Sequence, residues 1–221
     1  MSNTLVIGLG HYSRTGKDTF ANYLIALLGR HAPQVRVLKR SLAWKLKQVT
    51  HELYAWAGIQ PPEHYETREG EKDRDIVLPA LSMTPVEVWV AFGTKAVRNN
   101  VYDRTWLDYL LKSNLSTDVL IVPDVRFPNE ADAIKAAGGV TIKIVRPGYG
   151  PRKTVADRAL LGYDGWDYVL GDGGTMESLN LAARPFAAWA AGEADQPIQT
   201  PAERARALTV EKIEPWGPPA A

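Results

Sequence analysis

Residues 4–21 read TLVIGLGHYSRTGKDTFA: an apolar run, a tight polar turn ending in Gly16-Lys17, and the start of an apolar-periodic stretch. Strand, turn and helix in that order build a cradle for an anion. The N–H groups of the turn and the helix N-terminus converge on one point, and Lys17 adds a mobile charge for outer phosphates. The fit to the phosphate-loop pattern Gly-x-x-x-x-Gly-Lys-Ser/Thr is incomplete. Counting back from Gly16, the first glycine position holds His11, with Gly10 one residue early; Asp18 stands where the hydroxyl residue belongs, and Thr19 comes after it. An ordinary Gly-Lys turn is the competing reading, and the flanking strand and helix patterns favour the cradle.

The 221 residues suffice for one substantial core, so the expectation is one domain over residues 1–191 with a loosely attached tail over 192–221. A balance of 26 basic and 25 acidic residues leaves a net charge of +1, which argues against a nucleic-acid surface or a polybasic membrane patch and for a small nucleotide if any. The lack of cysteine excludes disulfides and thiolate chemistry, and the four histidines show no metal-ligand spacing. His11 lies beside the loop, where a histidine is more often incidental than catalytic. No apolar run approaches the roughly 18 residues of a membrane span, so a soluble cytoplasmic protein is expected.

Outward from the loop, the pattern predicts a strand over 4–9, a helix over 19–28 closed by Gly29, a short strand over 35–38 and a helix over 42–56. Lys47 sits early in that last helix, where a cation opposes the macrodipole unless it faces an anion. Residues 58–82 are charged and poorly periodic, and read as a mobile excursion from the core. Thr84-Pro85-Val86-Glu87 spells a capping box, predicting a helix to about Ala91 with Gly93 marking its end. Another helix is predicted over 103–111, with Trp106 most simply in the core.

Asp118-Val-Leu-Ile-Val-Pro-Asp124-Val-Arg126 is the second informative stretch. It puts the carboxylate of Asp124 at the C-terminal edge of a buried strand, where open α/β sheets bind ligands. Such an Asp can hold Mg²⁺ or its water in a nucleotide enzyme, and an Arg two residues on can reach a phosphate. A helix over 130–137 capped by Asn129 and a strand over 140–145 come next; strand, helix and strand form a βαβ unit with parallel pairing. Residues 148–163, glycine-rich and basic at their start, read either as a lid offering Arg152, Lys153 or Arg158, or as a solvated loop. A strand over 167–170 and a helix over 175–190 close the domain.

Taken in order, Arg14-Thr15-Gly16-Lys17-Asp18-Thr19, Leu42-Ala43 with Lys47, Gly93-Thr94 with Arg98-Asn99-Asn100 after it, Trp106, Val122-Pro123-Asp124-Val125-Arg126, Val145-Arg146-Pro147-Gly148 and Asp172-Gly173 resemble the bacteriophage deoxynucleoside monophosphate kinases, a P-loop family related in fold to adenylate kinase. That family also has Asp between the Lys and the Thr of its loop. The resemblance implies an α/β fold: a parallel β-sheet flanked by helices, with an acceptor-side excursion at 58–82 and a lid-like segment at 148–163. It further implies that Arg14, Thr15, Gly16, Lys17, Asp18 and Thr19 hold the phosphates of ATP, and that Arg146 flanks the donor base or lid. Asp18, Thr19 and Asp124 would bear on Mg²⁺, while Lys47, Arg98, Arg126 and Trp106 face the acceptor monophosphate. Two positions depart from the family: Val86 and Glu87 stand where it commonly has an Arg, and Val155 and Arg158 where its lid often has His and Glu.

The implied activity is transfer of the γ-phosphate of ATP to a (deoxy)nucleoside 5′-monophosphate, with Lys17, Arg126 and Asp124 nearest the reacting group. Its substrates would be ATP and the monophosphate, with no nucleic-acid polymer or membrane partner, in a protein of the cytoplasm (the host's, if viral) for which a homodimer is an open option. Another small-molecule kinase of the same build, acting on a nucleoside or a coenzyme precursor, and a nucleotide-binding switch without phosphotransfer are the alternatives.

Overall fold

The protein is described by a computed structural model covering residues 4–67, 69–113, 115–151, 158–171, 175–195 and 197. The chain divides into two compact units, Met1–Arg40 with Leu115–Ala221, and Ser41–Asn114.

The first unit is built on five strands, β1 (Leu5–Gly10), β2 (Val37–Lys39), β3 (Val119–Val125), β4 (Val140–Val145) and β5 (Tyr168–Gly171). They form one sheet in the order β2-β3-β1-β4-β5, every pairing parallel. Apolar alternation places the layers. Ile7 and Leu9 face a cluster built from α1 (Lys17–His31) and the closing helix Met176–Ala190, with Phe20, Leu24, Phe186 and Ala183 all fully buried. Gly8 points the other way: a Cβ there would lie 2.7 Å from Ile134, on the helix Pro128–Ala136. Helices therefore flank the sheet, as the resemblance implied. The two strands of the βαβ unit, β3 and β4, do not pair with each other; β1 lies between them.

Several boundaries differ from the sequence-based expectation. Helix α1 passes Gly29 and runs to His31; a glycine inside a helix weakens it by only about 1 kcal/mol relative to alanine and does not by itself stop it. The second strand begins at Val37, and the fifth runs one residue past the expected end. The helix Pro128–Ala136 is not capped by Asn129. Pro128 opens it, and the Glu130 carboxylate reaches back to accept from the N–H groups of Arg126 (2.8 Å) and Phe127 (3.1 Å).

The second unit carries α2 (Trp44–Tyr54), the short α3 (Gly70–Asp73), α4 (Pro85–Trp89) and α5 (Thr105–Lys112); the first unit also carries α6 (Pro128–Ala136) and α7 (Met176–Ala190). The Thr84–Glu87 capping box is formed at the start of α4. Gly93 does not terminate the helical path. Helix α4 passes into nine residues of π-helix, Val90–Arg98, and Gly93 is inside it, where a Cβ would fall 2.3 Å from Leu46. The excursion at 58–82 is anchored by buried Ile59 and Tyr65, and its polar groups pair locally: the His64 ring is hydrogen-bonded to Asp73 at 2.7 Å, and Arg74 pairs with Glu71 at 2.8 Å. Among the described residues no helix is long and apolar enough to cross a membrane.

Candidate active site

The loop between β1 and α1 has a backbone that only a few residue types adopt willingly. His11 (φ 101°), Arg14 (φ 64°) and Gly16 (φ 93°) are all left-handed. Two of the three are not glycine, and such conformations carry strain that clusters at functional sites. They turn the carbonyls of the loop inward. The buried Lys17 Nζ donates to the His11 carbonyl (3.2 Å), to the Tyr12 carbonyl, and at 3.4 Å to the Thr15 hydroxyl. Thr15, fully buried, donates in turn to the Tyr12 carbonyl at 3.0 Å. Lys17 is therefore folded back over the loop that precedes it, and Arg14 projects to solvent.

His11 is buried at the same turn, its ring 3.7 Å from that of Tyr12. Its Nδ1 has no hydrogen-bond partner among the described residues. Burial, with the charges of Lys143 and Lys17 nearby, pushes its pKa down to about 3, so the ring is neutral in neutral solution. Immediately before it, Gly10 leaves room for Trp166: a Cβ would lie 2.1 Å from the indole.

The sheet register sets the second half of the site beside the first. Gly10 of β1 is level with Val125 of β3, so the loop and the Asp124–Arg126 corner share the carboxyl edge of two adjacent strands, where parallel sheets bind ligands. Asp124 and Arg126 are both half-buried. The backbone of Arg126 is held by Glu130, a residue that sequence reasoning passed over although a Glu two places after a proline is a recognisable helix start.

Asp18 is turned outward. Its Oδ1 lies 3.4 Å from the Nζ of Lys39 at the end of β2, and Lys39 also donates to Asn22 at 3.1 Å. Thr19, one residue on in α1, is half-buried. Arg146, beyond β4, lays its guanidinium over the Tyr149 ring at 4.6 Å, and Arg158 is exposed. Arg152, Lys153 and Asp172-Gly173 lie outside the described residues, as does nearly all of the expected tail.

Lys47, Arg98 and Trp106 all belong to the second unit. Lys47 lies over the Trp89 ring, Nζ 5.2 Å from its centre. Arg98 ends the π-helix, with its Nε donating to the Asp103 carbonyl at 2.9 Å. Trp106 is half-buried and its indole N–H donates to the Gly93 carbonyl at 3.1 Å, so it and Arg98 are both tied to the π-helical turn. In a π-helix the bonds run five residues, as Asn99 N–H to Thr94 O does here, and such turns recur at functional sites. No local pattern signals this turn: the Gly93 that suggested a helix end is what allows Leu46 to press against it.

No family model matches the chain. It is 31% identical over 188 residues, 78% of its own length and 91% of the relative's, to a protein of Acanthamoeba polyphaga mimivirus assigned as a deoxynucleotide monophosphate kinase. It is also 38% identical over 94 residues, 40% of this chain and 39% of the relative, to the deoxynucleotide monophosphate kinase of Enterobacteria phage T4.

Proposed function

The chain belongs to the deoxynucleotide monophosphate kinase family, and on that premise we propose how its residues divide the work of moving the γ-phosphoryl group of ATP to a deoxynucleoside 5′-monophosphate. The acceptor's phosphate oxygen attacks the γ-phosphorus, the bond to the β-phosphate oxygen breaks, and ADP leaves with a deoxynucleoside diphosphate. Membership in this family sets aside the nucleotide switch and the kinases of nucleosides or coenzyme precursors. Phosphoryl transfer asks little covalent chemistry of a protein; it needs two anionic nucleotides held in line and the charge of the moving group neutralised.

The observation that carries the assignment of roles is the Lys17 ammonium, buried and held on the carbonyls of its own left-handed loop at the edge shared with Asp124 and Arg126. A phosphate chain in this loop takes the place of those carbonyls as the partner of Lys17. The N–H groups of the loop and the start of α1 hold its other oxygens. Arg126, whose backbone is fixed by Glu130, offers a two-pronged guanidinium to the acceptor phosphate. Lys47 and Arg98 add charge for the same acceptor, and Arg146, stacked on Tyr149, flanks the donor.

The donor chemistry suits Mg²⁺, which takes hard oxygen ligands and usually shares them with substrate phosphates. The Thr19 hydroxyl and the carboxylates of Asp18 and Asp124 are the groups that would hold it, Asp18 exposed beside Lys39. Bound there, the ion supplies charge neutralisation on the phosphate oxygens.

The test is a coupled assay of ADP release, with the diphosphate product identified by chromatography, across a panel of deoxy- and ribonucleoside monophosphates. Turnover of at least one deoxynucleoside monophosphate is expected; no diphosphate from any of them would refute the reading.

A further inference from the structure

We infer that Trp89 is a positioning residue for this reaction: the face of its indole holds the Lys47 ammonium in place for the acceptor's phosphate. The inference rests on the reading of Lys47 as an acceptor cation. It begins from where Lys47 sits. Helix α2 starts at Trp44, so Lys47 is in the first turn, where the macrodipole is positive and an ammonium is disfavoured. An electron-rich ring face offsets that, and the Lys47 Nζ lies 5.2 Å from the centre of the Trp89 ring, within cation–π range.

The ring is itself fixed. Trp89 is the last residue of α4, whose first turn is locked by the Thr84–Glu87 capping box, with bonds of 3.2 and 2.8 Å. The Tyr65 ring meets it edge-on, 4.9 Å between centres at 88°. Tyr65 is buried and its hydroxyl accepts from the Gln60 N–H at 2.9 Å. The indole N–H of Trp89, by contrast, is buried with no acceptor among the described residues. What an indole offers here beyond a leucine or phenylalanine is the strongest aromatic face for a cation. A lysine has much rotamer freedom to lose, and one already held over a ring loses less when the phosphate arrives.

The experiment measures kcat and the KM values for acceptor and ATP in Trp89→Phe, Trp89→Leu, Lys47→Ala and the double variant Lys47→Ala/Trp89→Leu. Trp89→Leu should raise the acceptor KM about tenfold, within the cation–π range, and Trp89→Phe by less, with the KM for ATP unchanged in both. In the Lys47→Ala background Trp89→Leu should add no further rise. If Lys47→Ala raises the acceptor KM but the Trp89 variants do not, or if the two effects simply add, the positioning role is overturned while the kinase assignment stands. If Lys47→Ala itself leaves the acceptor KM unchanged, the acceptor role of Lys47 fails and this inference fails with it. Should Trp89→Leu not fold, Trp89→Phe decides: an unchanged acceptor KM in that variant counts against the role.

Discussion

Lowering the pH from 7 to 5 should remove stability through His11. The folded protein holds this ring neutral down to about 3, against an ordinary value of 6.5, because it is buried beside the charges of Lys143 and Lys17. The unfolded chain takes up the proton near 6.5. The contribution of His11 is thus complete above that pH and is lost progressively as the pH falls toward 3. At pH 5 the gap from 6.5 is about 1.5 pH units, which at 1.36 kcal/mol per unit gives a loss of about 2 kcal/mol. Asp108 and Asp118, whose pKa values are both lowered to about 2 by the hydrogen bonds they accept, cost the protein stability only as the pH falls toward and below their ordinary 3.8, outside this window. Urea unfolding at pH 7, 6 and 5 measures the loss. The control is His11→Asn, since asparagine tolerates a left-handed backbone and does not titrate here. Its stability should be nearly level across the range where the parent protein's falls. Parallel curves for the two proteins would refute the reasoning.

Three further outcomes are expected. Lys17→Ala should keep its circular dichroism and lose roughly 10²- to 10³-fold in kcat, the usual scale for removing one preorganised charge partner of the reacting group; near-normal turnover would remove Lys17 from the chemistry. Arg126→Ala should act on the acceptor, raising its KM, lowering kcat or both, with the KM for ATP little changed; an unaltered acceptor profile would place Arg126 elsewhere. Gly10→Ala puts a methyl 2.1 Å from the Trp166 ring and should destabilise by about 1–3 kcal/mol, read from the urea midpoint, with part regained in Gly10→Ala/Trp166→Leu; an unchanged midpoint in the single variant would show that the ring moves freely.

What was legible in the sequence was what near neighbours encode. The apolar runs at 5–10, 119–125 and 140–145 and the Thr84–Glu87 box need only a few adjacent residues to act, and each formed within a residue of where it was expected. Strand order is different in kind. A βαβ pattern implies parallel strands but does not say which strand lies beside which, and here β1 comes between the two strands of the unit. Glycine misled twice for the same reason. As a helix stop it acts only when nothing else decides; at Gly29 the helix simply continues, and at Gly93 the packing of Leu46 makes glycine a requirement inside the π-helix.

The loop shows the same division within one site. Its order of residues points to Gly16-Lys17 as an anion cradle, because that chemistry depends on residues adjacent in the chain. The surroundings of the Asp18 side chain depend on a residue that is not: Lys39 arrives from the end of β2 and lies 3.4 Å from its exposed carboxylate. His11 stands where the pattern has a glycine, and the backbone there is nonetheless left-handed, so the loop keeps the shape while the side chain is buried. A motif of this kind constrains the path of the backbone more tightly than the identity of the residue that adopts it. The loop therefore tolerates an imperfect match, and its departures from the pattern are where this chain's own partners, Lys39 and the buried ring of His11, were to be found.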